Sequence, residues 1–304
     1  MVDRRSWSLL LVLAAIWGAS FMFIEIGLRD LSPAMVAWSR IVLAAVVLVA
    51  LAAAAGTLRG LGSRWAMLAV LAGVQVAGPF LLISAGQQEI SSSLAAILTS
   101  SAPLFTALLA TRLDHEERSH GLRLVGVILG FLGVMALLGL DLSGSRDALL
   151  GGLAVLLAAL GYAVGGFLVK LRFSDAPPIG VAAWVMVASS VWLAPAAIAS
   201  APPQVPGTGT IAAVIALGVV GTGLAFAIYY QLFARVGPAR TFIVTYLIPG
   251  FAVVYGATLL GESITVATVV GLGLILIGSW LAAEGRFGRR TAAGPDPAIA
   301  SQAP

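Results

Sequence analysis

Two ionisable residues interrupt long apolar stretches: Glu25 in SFMFIEIGL and Arg40 in MVAWSRIVL. In hydrocarbon, a charged side chain costs roughly 2.5–3.5 kcal/mol on insertion scales, which makes each a candidate for handling an ion or a substrate. Glu25 stands close to Arg29, and Arg40 follows Pro33 by about two helical turns, which places both in the same half of the membrane. An ion pair between Glu25 and Arg40 would offset part of both burial costs. Glu25 therefore has two readings: a site for a proton or a substrate ammonium group, or a structural pair or interface-reaching side chain.

The other polar residues of the apolar stretches are unevenly shared. Trp17 and Ser20 fall in the first, Gln75 and Ser84 in the third, and Thr99 and Ser100 in the fourth. Tyr162 falls in the sixth, Tyr230 in the eighth and Tyr246 in the ninth. With Glu25 these are the candidate lining of a solute cavity, because a path through lipid needs polar walls. The competing reading is that each Ser or Thr bonds its own helix backbone. Pro103 and Pro249 interrupt matched segments, and Pro79 the third; each removes a backbone donor and can bend a helix or open carbonyls to a cavity. Arg40, Pro103, Pro249, Glu116 and Glu262 are assigned structural or gating roles, the two glutamates as partners for the N-terminus of the helix that follows each.

No catalytic residue, metal site or cofactor is assigned. Cysteine is absent, which removes disulfides and thiolate ligands. His115 and His120 lie in a basic loop, an unfavourable setting for a metal. A membrane prenyltransferase would need aspartate-rich Mg²⁺ motifs, an intramembrane protease a histidine or paired aspartates within a span, and an ATPase a Gly-Lys-Ser/Thr loop; none occurs. A non-transporting scaffold or channel subunit stays open as an alternative, as does a membrane-embedded enzyme of another kind.

The elements that must position these residues follow from composition. Hydrophobic residues make up 60% of the 304 and charged residues 10%; mean hydropathy is +1.04. Soluble domains carry roughly 25% charge, and spanning a ~30 Å hydrocarbon layer takes about 20 apolar residues. The chain divides into apolar segments near Trp7–Leu28, Ala34–Ala55, Trp65–Gly86, Ser91–Arg112 and Leu122–Leu140. A second set runs near Leu150–Leu171, Ile179–Ala199, Thr210–Ala234, Arg240–Leu260 and Val266–Ala283. The first is too long for the h-region of a cleaved signal peptide. All 17 Lys and Arg except Arg29, Arg146 and the intramembrane Arg40 fall on one side of this arrangement, which places both termini in the cytoplasm. The scattered basic charge implies no nucleic-acid partner. Residues 1–6 form a cytoplasmic N-terminus, and residues 285–304, rich in Gly, Pro and Ala, a disordered cytoplasmic tail.

The halves align. Pro103 in SSAPLFTALLATRLDHEE meets Pro249 in YLIPGFAVVYGATLLGES, and Glu116 then meets Glu262. Matched loops exchange their charge: the loop with Arg59 and Arg64 corresponds to the Lys- and Arg-free SAPPQVPGTGT. The expected fold is an all-α polytopic membrane protein, ten transmembrane helices as two inverted five-helix repeats, 7–140 and 150–283, around a central cavity. Inverted repeats are characteristic of secondary transporters.

The segments LAAIWGASFMFIEIGL and LSPAMVAWSR, with GPARTFIVTYLIPGFAVVYGATLLGESIT in the second half, resemble the drug/metabolite transporter superfamily and its EamA-type permeases. The likeness covers about residues 9–283. It implies a ten-helix transporter with a cavity open to one side at a time, in a bacterial inner membrane, exporting an amino acid-like or amphiphilic metabolite. It implies the lipid bilayer and a small-molecule substrate as partners, and leaves a homodimer open. Arg40 matches the arginine common in the second span of such proteins and Glu262 the glutamate closing the ninth. Where relatives often carry a lysine after WGxSF, this chain has Glu25.

Overall fold

The computed structural model describes residues 4–113, 122–141, 145–237, 241 and 243–284. Among them every regular element is helical. Seven helical segments are long and apolar enough to cross a membrane: α1 (Arg4–Gly27), α2 (Pro33–Ala54), α3 (Gly62–Gly86), α4 (Ser92–Ala110), α6 (Arg146–Arg172), α7 (Pro178–Ala199) and α8 (Thr208–Phe233). Three shorter apolar helices accompany them: α5 (Leu122–Ala136), α9 (Val244–Leu259) and α10 (Val266–Glu284). Glu116, His115, His120 and the tail from 285 lie outside the described residues.

Local chemistry sets the helix ends. Ser32 caps α2 by accepting from the Met35 N–H, and Pro33 occupies the first turn, where its missing N–H is no loss. Ser145 caps α6 through the Ala148 N–H. In α4, Thr99 donates to Ala95 O, Ser100 to Ile97 O and Ser101 to Leu98 O. The α-helix stops at Thr99 and resumes at Ala102 with Pro103 in its first turn, so the interruption expected at Pro103 is present. Pro249 behaves differently. It sits inside the uninterrupted α9, where a membrane helix tolerates the lost bond.

Two long helices carry π turns. In α3 it covers Gly73–Ala77, and the Gly78 N–H reaches back five residues to Gly73 O. Pro79 follows at once and has no N–H for Gln75 O, which explains why α geometry fails there. In α8 the π stretch is Ala216–Leu224, and the Thr222 hydroxyl donates to Leu217 O, five residues back. Such segments recur at functional positions in helices.

Lipid tails are as apolar as leucine, so helix association here rests on close packing. The main partners are α5 with α10, α2 with α7, α1 with α9, α3 with α6 and α2 with α8. Gly18 lets α1 approach α9: a Cβ there would stand 2.6 Å from that of Phe251. Gly86 and Gly151 do the same for α3 and α6. Indoles tie α7 and α2 to neighbouring backbone: Trp38 donates to Ser190 O, Trp184 to Leu58 O and Trp192 to Ala69 O.

Connections meet at two ends of the molecule. At one, Arg64 forms a two-point bond with Asp175, at 2.8 and 2.6 Å, and donates also to Arg172 O. The Arg64 guanidinium holds the Asp175 carboxyl below the usual carboxylate range; the pair is exposed, so it contributes little stability. At the other, Asp30 accepts from the Thr210 hydroxyl at 2.6 Å and the Gly207 N–H at 2.9 Å. Those two bonds, the hydroxyl foremost, hold its carboxyl below the ordinary value. Ser32 and Ser200 meet beside it at 2.7 Å.

Candidate functional site

The buried cation of α2 defines the site. Arg40 is 8% exposed; its Nε donates to the Thr222 hydroxyl at 2.7 Å, and its guanidinium carbon lies 3.9 Å from the Phe80 ring centroid. The geometry combines a hydrogen bond with a cation–π contact. Close backbone packing of α2 on α8 allows it, because a Cβ on Gly218 would meet Leu43 and Arg40 O. The expected Glu25–Arg40 ion pair is not formed. Depth along the two helices matched, but the guanidinium turns toward α8 and α3, and among the described residues Arg40 has no carboxylate partner.

From Thr222, α8 runs on through Phe226 and Tyr230 at four-residue spacing, which keeps the three near one face. Trp17 of α1 closes against this face: its ring stands 6.1 Å from Phe226 and 5.6 Å from Tyr229. Tyr230 lies 6.1 Å from Phe226 and 5.6 Å from Tyr229. All four rings are only part-buried within the bundle. Tyr162 of α6 packs on the same apolar cluster as Phe226 and Tyr230 and interacts electrostatically with Arg40. Of the sequence candidates, Tyr162 interacts with Arg40, while Trp17 and Tyr230 belong to the aromatic face that extends along α8 from Thr222. Phe80, Thr222, Phe226 and Tyr229 join them; for the residues of α8, the spacing in TGLAFAIYY was the available signal.

Other candidates lie elsewhere. The Ser20 hydroxyl donates to Ile16 O, and those of Thr99 and Ser100 to their own helix, so backbone bonding accounts for these three. Ser84 is 1% exposed. The Gln75 side chain lies over Gly165 of α6. The Tyr246 hydroxyl donates to Ser279 O, joining α9 to α10.

Glu25 belongs to a separate polar group at the end that holds Asp30. Its Oε2 is buried without a hydrogen-bond partner, as are Gln87 Oε1 and Ser92 Oγ. Gln87 donates through Nε2 to Phe21 O, and Glu25 interacts with the Gln87 side chain, with Arg29 and with Glu262. Glu262 does not serve the helix that follows it. Its carboxylate accepts from the Ser92 N–H at 2.8 Å, the Ser93 N–H at 3.0 Å and the Ser93 hydroxyl, all at the start of α4. The start of α10 is served by Thr265, which accepts from the Thr268 N–H.

A groove of about 280 Å³ between α3 and α6 is lined by Gly73, Val74, Pro79, Leu82, Leu157 and Gly161 among others. Its walls are apolar and offer no group to orient a polar solute. Among the described residues no cluster of His, Cys, Asp or Glu could hold a metal ion.

Comparison with known proteins gives a consistent result. The model of the EamA-like transporter family matches twice, over residues 5–139 and 149–283. A protein of Escherichia coli K12 named "Probable amino-acid metabolite efflux pump" is 26% identical, over 92% of this chain and 95% of its own. A second E. coli K12 protein, the inner membrane transporter YedA, is 28% identical over 91% and 90% of the two chains. A solved crystal structure superposes with a TM-score of 0.66 at 20% identity, covering 91% of this chain and 97% of that one; at that identity the likeness concerns the fold. These family and relative names point to a transporter rather than an enzyme.

Proposed function

Because this chain belongs to the EamA-like transporter family, we propose that it moves a small metabolite across the bacterial inner membrane by alternating access, outward. The single observation that carries this is the twofold match of the family model along nearly the whole chain. An amino acid-like or amphiphilic solute is the first candidate, in keeping with the name of the E. coli efflux relative and with the aromatic wall beside Arg40.

The architecture under this reading is ten spans in two inverted five-helix units, 7–140 and 150–283, with both termini cytoplasmic. Helix packing supports it. If α1 to α5 correspond to α6 to α10 in order, the α1–α9 contact has its mate in α4–α6, α3–α6 in α8–α1, and α2–α8 in α7–α3. The corresponding helices α3 and α8 both carry π turns. The Arg64–Asp175 and Asp30–Thr210 links fall at opposite ends of the bundle, as alternate loops require.

The test is flux in proteoliposomes against a broad metabolite panel, with the purified protein as the only component. Saturable movement of at least one amino acid-like or amphiphilic solute is expected; movement of none would leave a scaffold or channel subunit as the better reading. Glu25 is assigned the proton or cation role, on the grounds of its unpartnered carboxylate oxygen beside Gln87. In the same vesicles Glu25→Gln is expected to erase the response of flux to a pH gradient while solute binding persists. An undiminished pH response in that variant removes the coupling role.

A further inference from the structure

We infer that Arg40, with the aromatic face that extends along α8 from its Thr222 partner, is a receptor for the carboxylate of the transported solute. This rests on the transport reading and narrows it to solutes that carry one carboxylate on an apolar body.

Donors and acceptors around Arg40 do not balance. A buried guanidinium in a membrane is costly and is ordinarily matched by a carboxylate or by carbonyls. Arg40 has Phe80 and one hydroxyl, which orient it and leave its charge without a counter-ion among the described residues. The Thr222 hydroxyl, already donating to Leu217 O, accepts from Nε, so the fork of terminal nitrogens is not used in that bond. That fork matches the two oxygens of a carboxylate. Tyr162, which interacts with Arg40, has no hydrogen-bond partner for its hydroxyl among the described residues, and neither do Tyr229, Tyr230 and the Trp17 indole N–H on the aromatic face of α8. The site thus offers several donors and, among the described residues, no anion.

Charge count selects within the anions. Among the described residues no other Lys or Arg lies in the interior of a span; those that are described stand at helix ends or in connections. One cation matches one carboxylate, whereas a phosphate dianion would bring a second negative charge into low dielectric with nothing opposite it. The rings of Trp17, Phe226 and Tyr230 supply the apolar wall for the remainder of the solute.

The experiment measures binding and flux separately. Purified full-length protein is titrated with leucine, 4-methylpentanoate, leucinamide and O-phosphoserine, reading the shift in thermal unfolding, and the same compounds are followed in proteoliposomes. Expected is saturable stabilisation by leucine and by 4-methylpentanoate, with leucinamide and O-phosphoserine at least about tenfold weaker. Arg40→Gln should lose the preference for acid over amide. Arg40→Lys keeps the charge and should retain the preference with about three- to tenfold weaker binding, so a folding defect in Arg40→Gln does not decide the matter. Thr222→Val, which frees the guanidinium from its positioning bond, should weaken acid binding several-fold without reversing the preference. The site assignment is overturned if the amide binds as well as the acids, if no acid binds, or if Arg40→Gln keeps the acid preference. Acid binding without any flux would sink the transport reading and leave the site intact.

Discussion

Replacing Glu262 by alanine is expected to lower the thermal unfolding midpoint of the purified protein more than any other single removal of a side-chain functional group outside the Arg40 site. The start of α4 presents its first three N–H groups within a buried environment: Ser92 is 0% and Ser93 4% exposed. Ser91 accepts from the third, Leu94 N–H, and Glu262 accepts from the first two together with the Ser93 hydroxyl. A helix N-terminus carries partial positive charge, so an ionised acceptor is the better one there. Alanine leaves three donors without acceptors where water has little access, a loss of about 2–4 kcal/mol given ~1–3 kcal/mol for each buried unsatisfied group and partial relaxation. Glu262→Gln should recover only part, since its NH₂ would face an N–H. Equal melting of Glu262→Ala and the parent protein would remove the cap from the account.

Gly278→Val is expected to have an effect of similar size through packing alone. Gly126 and Gly130 of α5 and Gly278 of α10 bring the two backbones into contact: a Cβ on Gly126 would lie 2.6 Å from Ala282 N and 2.7 Å from Gly278 O, and one on Gly278 would meet the Gly130 backbone. None of these atoms is the end of a flexible side chain, so the helices must separate. Overpacking of this kind costs about 1–3 kcal/mol, and in lipid no hydrophobic gain offsets the loosened packing. Gly273 on the same helix has open space where its Cβ would go, so Gly273→Val is the matched control. The check is the melting midpoint and the monodisperse fraction on gel filtration; similar behaviour of the two variants would contradict close α5–α10 packing as a source of stability.

The residues show where sequence reasoning reached and where it stopped. The apolar runs located the helices, with α2 and α7 within a residue or so of their ends, because the membrane dictates both length and composition. Gly126 and Gly130, one helical turn apart, form the face on which α10 lies. Long-range partners were not legible. Glu262 and Ser92 are 170 residues apart, and nothing local to GESIT distinguishes capping its own helix from capping another. The Glu25–Arg40 pairing failed because depth is readable from rise per residue, whereas the direction a side chain takes around its helix depends on which neighbours pack there. Polarity also overcounted the site: Ser20, Thr99 and Ser100 look like cavity lining by composition, yet each hydroxyl is satisfied four or three residues back on its own helix.

The π turn of α8 shifts the phase of that helix. A turn that closes at i to i+5 holds one residue more than an α turn, and each residue of an α-helix advances about 100° around the axis. Everything after Leu224 therefore sits out of phase with the helix before Ala216, as a thread is after a skipped notch. Phe226, which meets Trp17, and Tyr230 beside it stand about one residue step, ~100°, away from the phase set by Thr208–Ile215. A helical wheel for Thr208–Phe233 therefore has to be broken at the π turn, with one phase before Ala216 and another after Leu224.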